Sequence, residues 1–180
     1  MSVICAIRNK NGTWIASNTT AVLESGRNVD GGPLWHCANG WAVGQTGDAR
    51  TGSIIEFNKE DLFTDLAEGF DFTERLRRLL EKHGYSGRID SDSSAPCYGS
   101  SYLLTNGEKL WDIDVSLDIT EYSAGAMAAR GSGAPYALGV GSALKGEKPK
   151  LILEMAVQAA MKYDVVCGGE VWIKRVAKSS

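Results

Sequence analysis

SVICAIRNKNGTWIASN, residues 2–18, is the stretch whose reading decides the fold. Its first six residues are rich in β-branched side chains and, from Val3 onward, apolar at consecutive rather than alternate positions. A strand with one wet face alternates apolar and polar side chains, so an unbroken run calls for cover on both faces. NKNG at 9–12 supplies turn chemistry, and 13–16 resume a strand-like pattern. The stretch reads as an N-terminal hairpin in an inner sheet, which is where a sandwich begins.

Working outward, strands are expected at 34–38 and 41–44, joined by Asn39-Gly40, the dipeptide that favours a type I′ turn. A second Asn-Gly, at 106–107, is expected to join strands at 101–105 and 109–113 in the same way, and further strands are expected at 127–130 and 170–176. Helical spacing covers 54–67 and 72–83. In the second of these, Phe72, Leu76, Leu79 and Leu80 share one face, Glu74, Arg77, Arg78 and Glu81 cover the other, and Gly84 ends the helix. Residues 85–100, rich in Ser, Gly and Asp and containing Pro96, read as a surface loop placed to act as a rim or gate. Helices return at 134–143 and 150–163. The apolar stripe of the last one, Leu151, Ile152, Met155, Ala156 and Ala159, is thickened by Leu153, Val157 and Ala160, as for a helix packed between a sheet and a neighbour. Strands, two helices, strands, two helices and a strand make an α+β grouping, not an alternating βαβ one. Two facing antiparallel sheets with helices outside satisfy that order, as one domain over residues 1–180.

The length of 180 residues suits one core. With 43% hydrophobic and 23% charged residues and a pI near 5.4, the chain has no basic footprint for nucleic acid. The early apolar run, 3–7, is too short for a signal peptide or a membrane span, and no run reaches 18 residues, so a soluble, cytoplasmic protein is expected. Cys5, Cys37, Cys97 and Cys167 stand far apart with no CxxC pair and only His36 and His83 for company. Neither a zinc site nor a disulfide frame is indicated, and no metal or cofactor is expected. Cys37 and His36, as neighbours on a strand, point to opposite faces and do not form a catalytic pair.

Four separated stretches resemble the β subunits of proteasomes and the bacterial peptidase HslV. Residues 2–22 look like that family's N-terminal hairpin, which begins at the nucleophile. AVGQTGDA at 42–49 is similar to its AGxxGDA-like turn, GSGAPYALG at 131–139 to its GSGSPYA motif, and YDVVCGG at 163–169 to its RDxxSGG turn. They occur in the family's order over nearly the whole chain. The resemblance implies a four-layer αββα sandwich of N-terminal-nucleophile type and a ring-forming, threonine- or serine-dependent peptidase. A homo-oligomeric ring acting on peptides or unfolded protein is therefore expected; nothing readable specifies an AAA+ unfoldase partner.

Such enzymes use the side chain of their own first residue as nucleophile and its α-amine, pKa near 8, as base. The resemblance makes Ser2 the nucleophile, exposed once Met1 is removed. It places Ser132 and Asp164 where they would orient the α-amine, and gives the Gly44 N–H the role of stabilising the oxyanion. Cys167 stands where the family's motif has serine. Two departures accompany these matches. Asn18 replaces the family's aspartate, and residues 30–36 (DGGPLWH) hold no counterpart of its catalytic lysine. The two losses are coherent, since without the lysine a buried aspartate would be an unpaired charge. His36 is the one titratable cation near that position, and Arg27 is a charge that cannot act as a base. The alternative expectation is a catalytically inactive proteasome-like protein kept for assembly or binding.

Overall fold

The computed structural model describes residues 2–22, 28–85 and 96–178, with backbone alone at 21–22 and 28–30. β1 (Ile4–Asn9) and β2 (Gly12–Ser17) form the expected hairpin. Its turn closes tightly: Gly12 has φ +131°, and a Cβ there would lie 2.5 Å from the Val176 carbonyl oxygen. β3 (Thr20–Val22) and β4 (Asn28–Asp30) make a small ribbon of their own. β5 (Trp35–Ala38) and β6 (Trp41–Gly47) follow, then α1 (Ala49–Phe63) and α2 (Gly69–Lys82). Next come β7 (Ser100–Thr105), β8 (Leu110–Ile113), β9 (Ile119–Glu121) and β10 (Met127–Arg130). The described chain closes with α3 (Ala134–Ala143), α4 (Pro149–Tyr163) and β11 (Trp172–Val176).

The strands assemble into a four-stranded sheet, β10-β1-β2-β11, and a five-stranded sheet, β5-β6-β7-β8-β9, both antiparallel. Three apolar clusters hold four layers together. Ile4, Ala6 and Ile15 meet Leu103, Leu110 and Ala128 between the sheets. Val3, Cys5, Ile7 and Ala16 pack under Ile152, Leu153, Ala156, Val157 and Ala160 of α4. Val43, Tyr102, Leu104 and Ile113 pack under Ile55, Phe63, Phe72, Leu76 and Leu80 of α1 and α2. Alternate residues of β1 thus feed different cores, which is why its run is unbroken. Each fully buried aliphatic side chain contributes about 1.5–3 kcal/mol before entropy is subtracted. The architecture is the α+β, αββα sandwich.

Local chemistry explains the boundaries. α1 starts five residues before its expected position because the Asp48 side chain accepts the Arg50 N–H and caps it, a signal hidden by the small residues of its first turn. α2 opens on a capping box between Glu68 and Asp71 and ends at Gly84, φ +87°. Asn39 and Gly40 both have positive φ, 51° and 80°, as a type I′ turn requires. Asn106-Gly107 does not form the expected type I′ turn. Thr105 pairs with Leu110 across a four-residue loop, and the Asn106 side chain accepts the N–H groups of Glu108 and Lys109. That local bonding by Asn competes with the tight turn and wins. Of the expected rim at 85–100, residues 86–95 lie outside the described residues; Tyr98 is buried, and its N–H donates to the Val115 carbonyl.

Candidate active site

Ser2 precedes β1 and stands, like Ile4, on the face turned toward the second sheet. It is only 6% exposed, at one end of the gap between the sheets. There it borders a cleft of about 230 Å³ together with Thr46 and Gly47 at the end of β6, Ser100 of β7, Arg130 of β10, and Ser132. The turn from β10 into α3 closes directly over the Ser2 backbone. Gly131 has φ +98°, and a Cβ on it would fall 2.0 Å from the Ser2 carbonyl oxygen, so no other residue fits. The Gly133 N–H donates to that same oxygen at 3.5 Å.

Ser132 leads to Asp164, the residue that caps α4. The Ser132 hydroxyl lies near the carboxylate and helps to stabilise its charge. The Val166 N–H and the Cys167 thiol donate to the two Asp164 oxygens at 3.1 and 3.5 Å. Burial alone would raise this carboxyl, but the nearby Ser132 hydroxyl and the bonds from Val166 and Cys167 outweigh it and hold it below the ordinary value. Burial, followed by the Asp164 charge, pushes the Cys167 thiol up to about 12, so at neutral pH it is a protonated donor. Cys5 is raised chiefly by burial and is an inert core thiol.

Asn18 is fully buried and completely engaged. Its Oδ1 accepts the Val3 N–H at 2.8 Å, and its Nδ2 donates to the carbonyls of Thr20 and Gly168, both at 3.1 Å. A carboxylate at 18 could take the first bond but would face two carbonyl oxygens with no proton to offer. The amide therefore fits a site that needs donors, a reason the sequence alone does not supply. Among the described residues the lining of the cleft contains no lysine, and Arg130 is its one charged side chain. Arg27 lies outside the described residues.

Two expected residues stand elsewhere. His36 pairs with Val43 across β5 and β6, and Val43 belongs to the core under α1 and α2, so the imidazole sits on the helix side of the sheet. Its Nδ1 lies 2.7 Å from Glu56 Oε2, yet burial outweighs that carboxylate and lowers its pKa. The geometry is that of an ion pair, but desolvation favours a neutral ring donating one hydrogen bond, far from any role as base to Ser2. Gly44 lies mid-strand between Trp35 and Leu103. A Cβ there would sit 1.8 Å from Ile4 Cδ1, so the position is a hole that lets the sheets meet, and it does not line the cleft. Gly47, three residues along the same motif, does. Its φ of +118° and the 2.4 Å from its hypothetical Cβ to the Gly99 carbonyl mark a backbone that only glycine adopts there.

Sequence reasoning missed Thr46, Ser100 and Arg130. Ser100 is buried and anchors the cleft wall: its hydroxyl accepts the Asp48 N–H at 3.0 Å and meets the Thr51 hydroxyl at 2.8 Å. Gln45 Nε2 ties the same turn to the Asp48 carbonyl at 2.6 Å. The available signal for Arg130 was its place directly before the glycine of GSGAPYALG. Among the described residues no group of three or more His, Cys, Asp or Glu could hold a metal, and no helix is long and apolar enough to cross a membrane.

No protein-family model matches the chain, and no curated protein matches it by sequence. Solved structures do match by fold. BPH from Thiobacillus denitrificans, in complex with epoxomicin, superposes with a TM-score of 0.76 at 19% identity, covering 97% of this chain and 99% of that one. Anbu, the ancestral beta-subunit from Yersinia bercovieri, gives 0.74 at 13% identity over 97% and 81%. HslV from Trypanosoma brucei gives 0.69 at 18% identity over 96% and 97%. The fold is accordingly that of the proteasome-like N-terminal-nucleophile hydrolases. At these identities the likeness speaks for architecture and leaves the chemistry to the residues of the cleft.

Proposed function

We propose that this chain is a proteasome-like peptidase subunit that hydrolyses peptide bonds through Ser2 once that serine is the first residue. The observation that carries the reading is Ser2 and Ser132 lining one cleft, with the Ser132 hydroxyl helping to stabilise the Asp164 carboxylate. In this mechanism the Ser2 α-amine takes the hydroxyl proton as Oγ bonds to the substrate carbonyl carbon. The C–N bond then breaks, the ammonium returns the proton to the leaving amine, and an acyl ester remains. Water, deprotonated by the same amine, attacks the ester and frees Ser2. Ser132 and Asp164 orient the amine, Asn18 holds the strand through the Val3 N–H, and the backbone at Gly47 supplies the oxyanion donor in place of Gly44.

Apolar side chains left exposed on and after α3 and α4, among them Tyr136, Leu138, Leu151, Met155 and Val165, support contacts between copies in a homo-oligomeric ring. Peptides or unfolded protein are the proposed substrates, the cytoplasm the proposed compartment, and an unfoldase partner is left unspecified. The second reading, a noncatalytic assembly or binding protein, is favoured by Asn18 bonded to two carbonyls and by the missing lysine. Hydrolysis of fluorogenic peptides by the purified protein separates the two. The peptidase reading expects a rate that vanishes in Ser2→Ala and survives in the exposed turn variant Lys10→Ala; equal rates in the wild type and Ser2→Ala would overturn it.

A further inference from the structure

Among the described residues Arg130 is the one charged side chain in the cleft's lining, set among Ser, Thr, Gly and Val115. It stands opposite Ile4 in the β1–β10 register, so it projects from the same face of the sheet as Ser2. Any ligand that fills a space of about 230 Å³ between these walls meets both. The guanidinium is also fixed from behind. Its Nε donates to Asp112 Oδ1 at 2.6 Å, while the Tyr122 hydroxyl donates to Asp112 Oδ2 at 3.3 Å. Asp112 is the sequestered partner, 11% exposed against 35% for Arg130, and both its oxygens are occupied. Asp114, the other nearby acid, accepts from the Ser116 N–H and hydroxyl and from the Asp118 N–H. The bond from Nε uses one of five guanidinium N–H donors, leaving the two Nη groups on a side chain anchored through Nε.

We infer that the cleft selects peptides with a carboxylate side chain on the residue that supplies the scissile carbonyl, and that Arg130 is the selecting residue. A carboxylate of Asp or Glu can accept from the fork in a bidentate pair, whereas an apolar side chain would strip water from a guanidinium and return nothing. A pinned fork loses little freedom on binding, so the pair keeps most of its value. The expected preference for Asp over its neutral isostere Asn is about 10- to 100-fold in kcat/KM, the scale of one charge-assisted hydrogen bond.

This inference rests on the peptidase reading, and the test keeps the two apart. The probes are acetyl-Ala-Ala-Ala-X-aminomethylcoumarin peptides with X as Asp, Asn or Leu, assayed with protein that begins at Ser2. Asp should exceed Asn and Leu, and the double variant Arg130→Met, Asp112→Asn should level the three rates while keeping the fold, since it leaves no buried charge unpaired. Equal rates for Asp and Asn in an active wild type would overturn the inference and leave the peptidase reading standing. If no peptide is cleaved, calorimetry with the corresponding peptide amides on Ser2→Ala decides the matter. Tighter binding of the Asp peptide, lost in the double variant on that background, upholds the selection by Arg130 while the peptidase reading fails; equal or absent binding overturns the selection too.

Discussion

Asp164 and Asn18 both belong to the surroundings of Ser2, yet one is a carboxylate and the other an amide. Asp164 accepts from the Val166 N–H and the Cys167 thiol, and the Ser132 hydroxyl nearby adds to the stabilisation of its charge. Asn18 is met by one donor, the Val3 N–H, and two acceptors, the carbonyls of Thr20 and Gly168. Where the neighbours all give protons, a charge is stabilised; where two of three need protons, only an amide satisfies them. The first flank carries the serine and aspartate of the motifs with Cys167 in place of a serine, the second carries Asn18 in place of an aspartate, and Asn18 has a completed hydrogen-bond set.

The largest effect expected is from Asn18→Asp. It sets a carboxylate against two carbonyls in a fully buried site, and should cost about 3–5 kcal/mol as measured by urea denaturation. Unchanged stability would break the comparison, because it would mean the carbonyls do not need the amide. Gly44→Ala comes next, at about 1–3 kcal/mol, since its Cβ overlaps Ile4. Reactivity of Ser2 toward an electrophile, measured on the folded fraction, should be unchanged, which separates the packing role of Gly44 from a chemical one.

Asp164→Asn should cost about 1 kcal/mol, because an amide N–H₂ would turn toward groups that already donate, and the site is partly open to solvent. The folded pKa of Asp164 is depressed below 3.8, so its contribution is present above that value and lost as pH falls through the folded pKa. The stability difference between wild type and variant should follow that course in acid titrations. The smallest effect is at His36, on the far side of the second sheet. Burial lowers its pKa from 6.5 against the pull of Glu56, so stability is present above 6.5 and falls as pH drops toward the folded value. His36→Gln should flatten this slope without altering reactivity at Ser2.

Most of the architecture was legible in sequence because it rests on patterns spread over many residues. The consecutive apolar residues of β1 require two covered faces, and Val3 and Ile4 do feed different cores. The three-residue strands β3, β4 and β9 were not legible, since so few residues carry no period. The site was less readable than the fold. Ser2, Ser132 and Asp164 could be placed on motifs, but which glycine of AVGQTGDA reaches the cleft depends on where β6 ends, and that is set by the Asp48 cap and the Ser100 bonds. Arg130 had only its place before the glycine motif to mark it, because the pairing of β10 with β1 brings it to Ser2 and the packing of the two sheets brings it to Asp112. What Asn18 does could not be inferred from its type, because two of its partners are backbone carbonyls.

The intact mass of the purified protein, taken before and after treatment with a β-lactone, tests the central claim most directly. The account predicts the mass of a chain beginning at Ser2, then a gain of one lactone equivalent located on Ser2 and absent from Ser2→Ala. Protein that begins at Ser2 and remains unlabelled would contradict it.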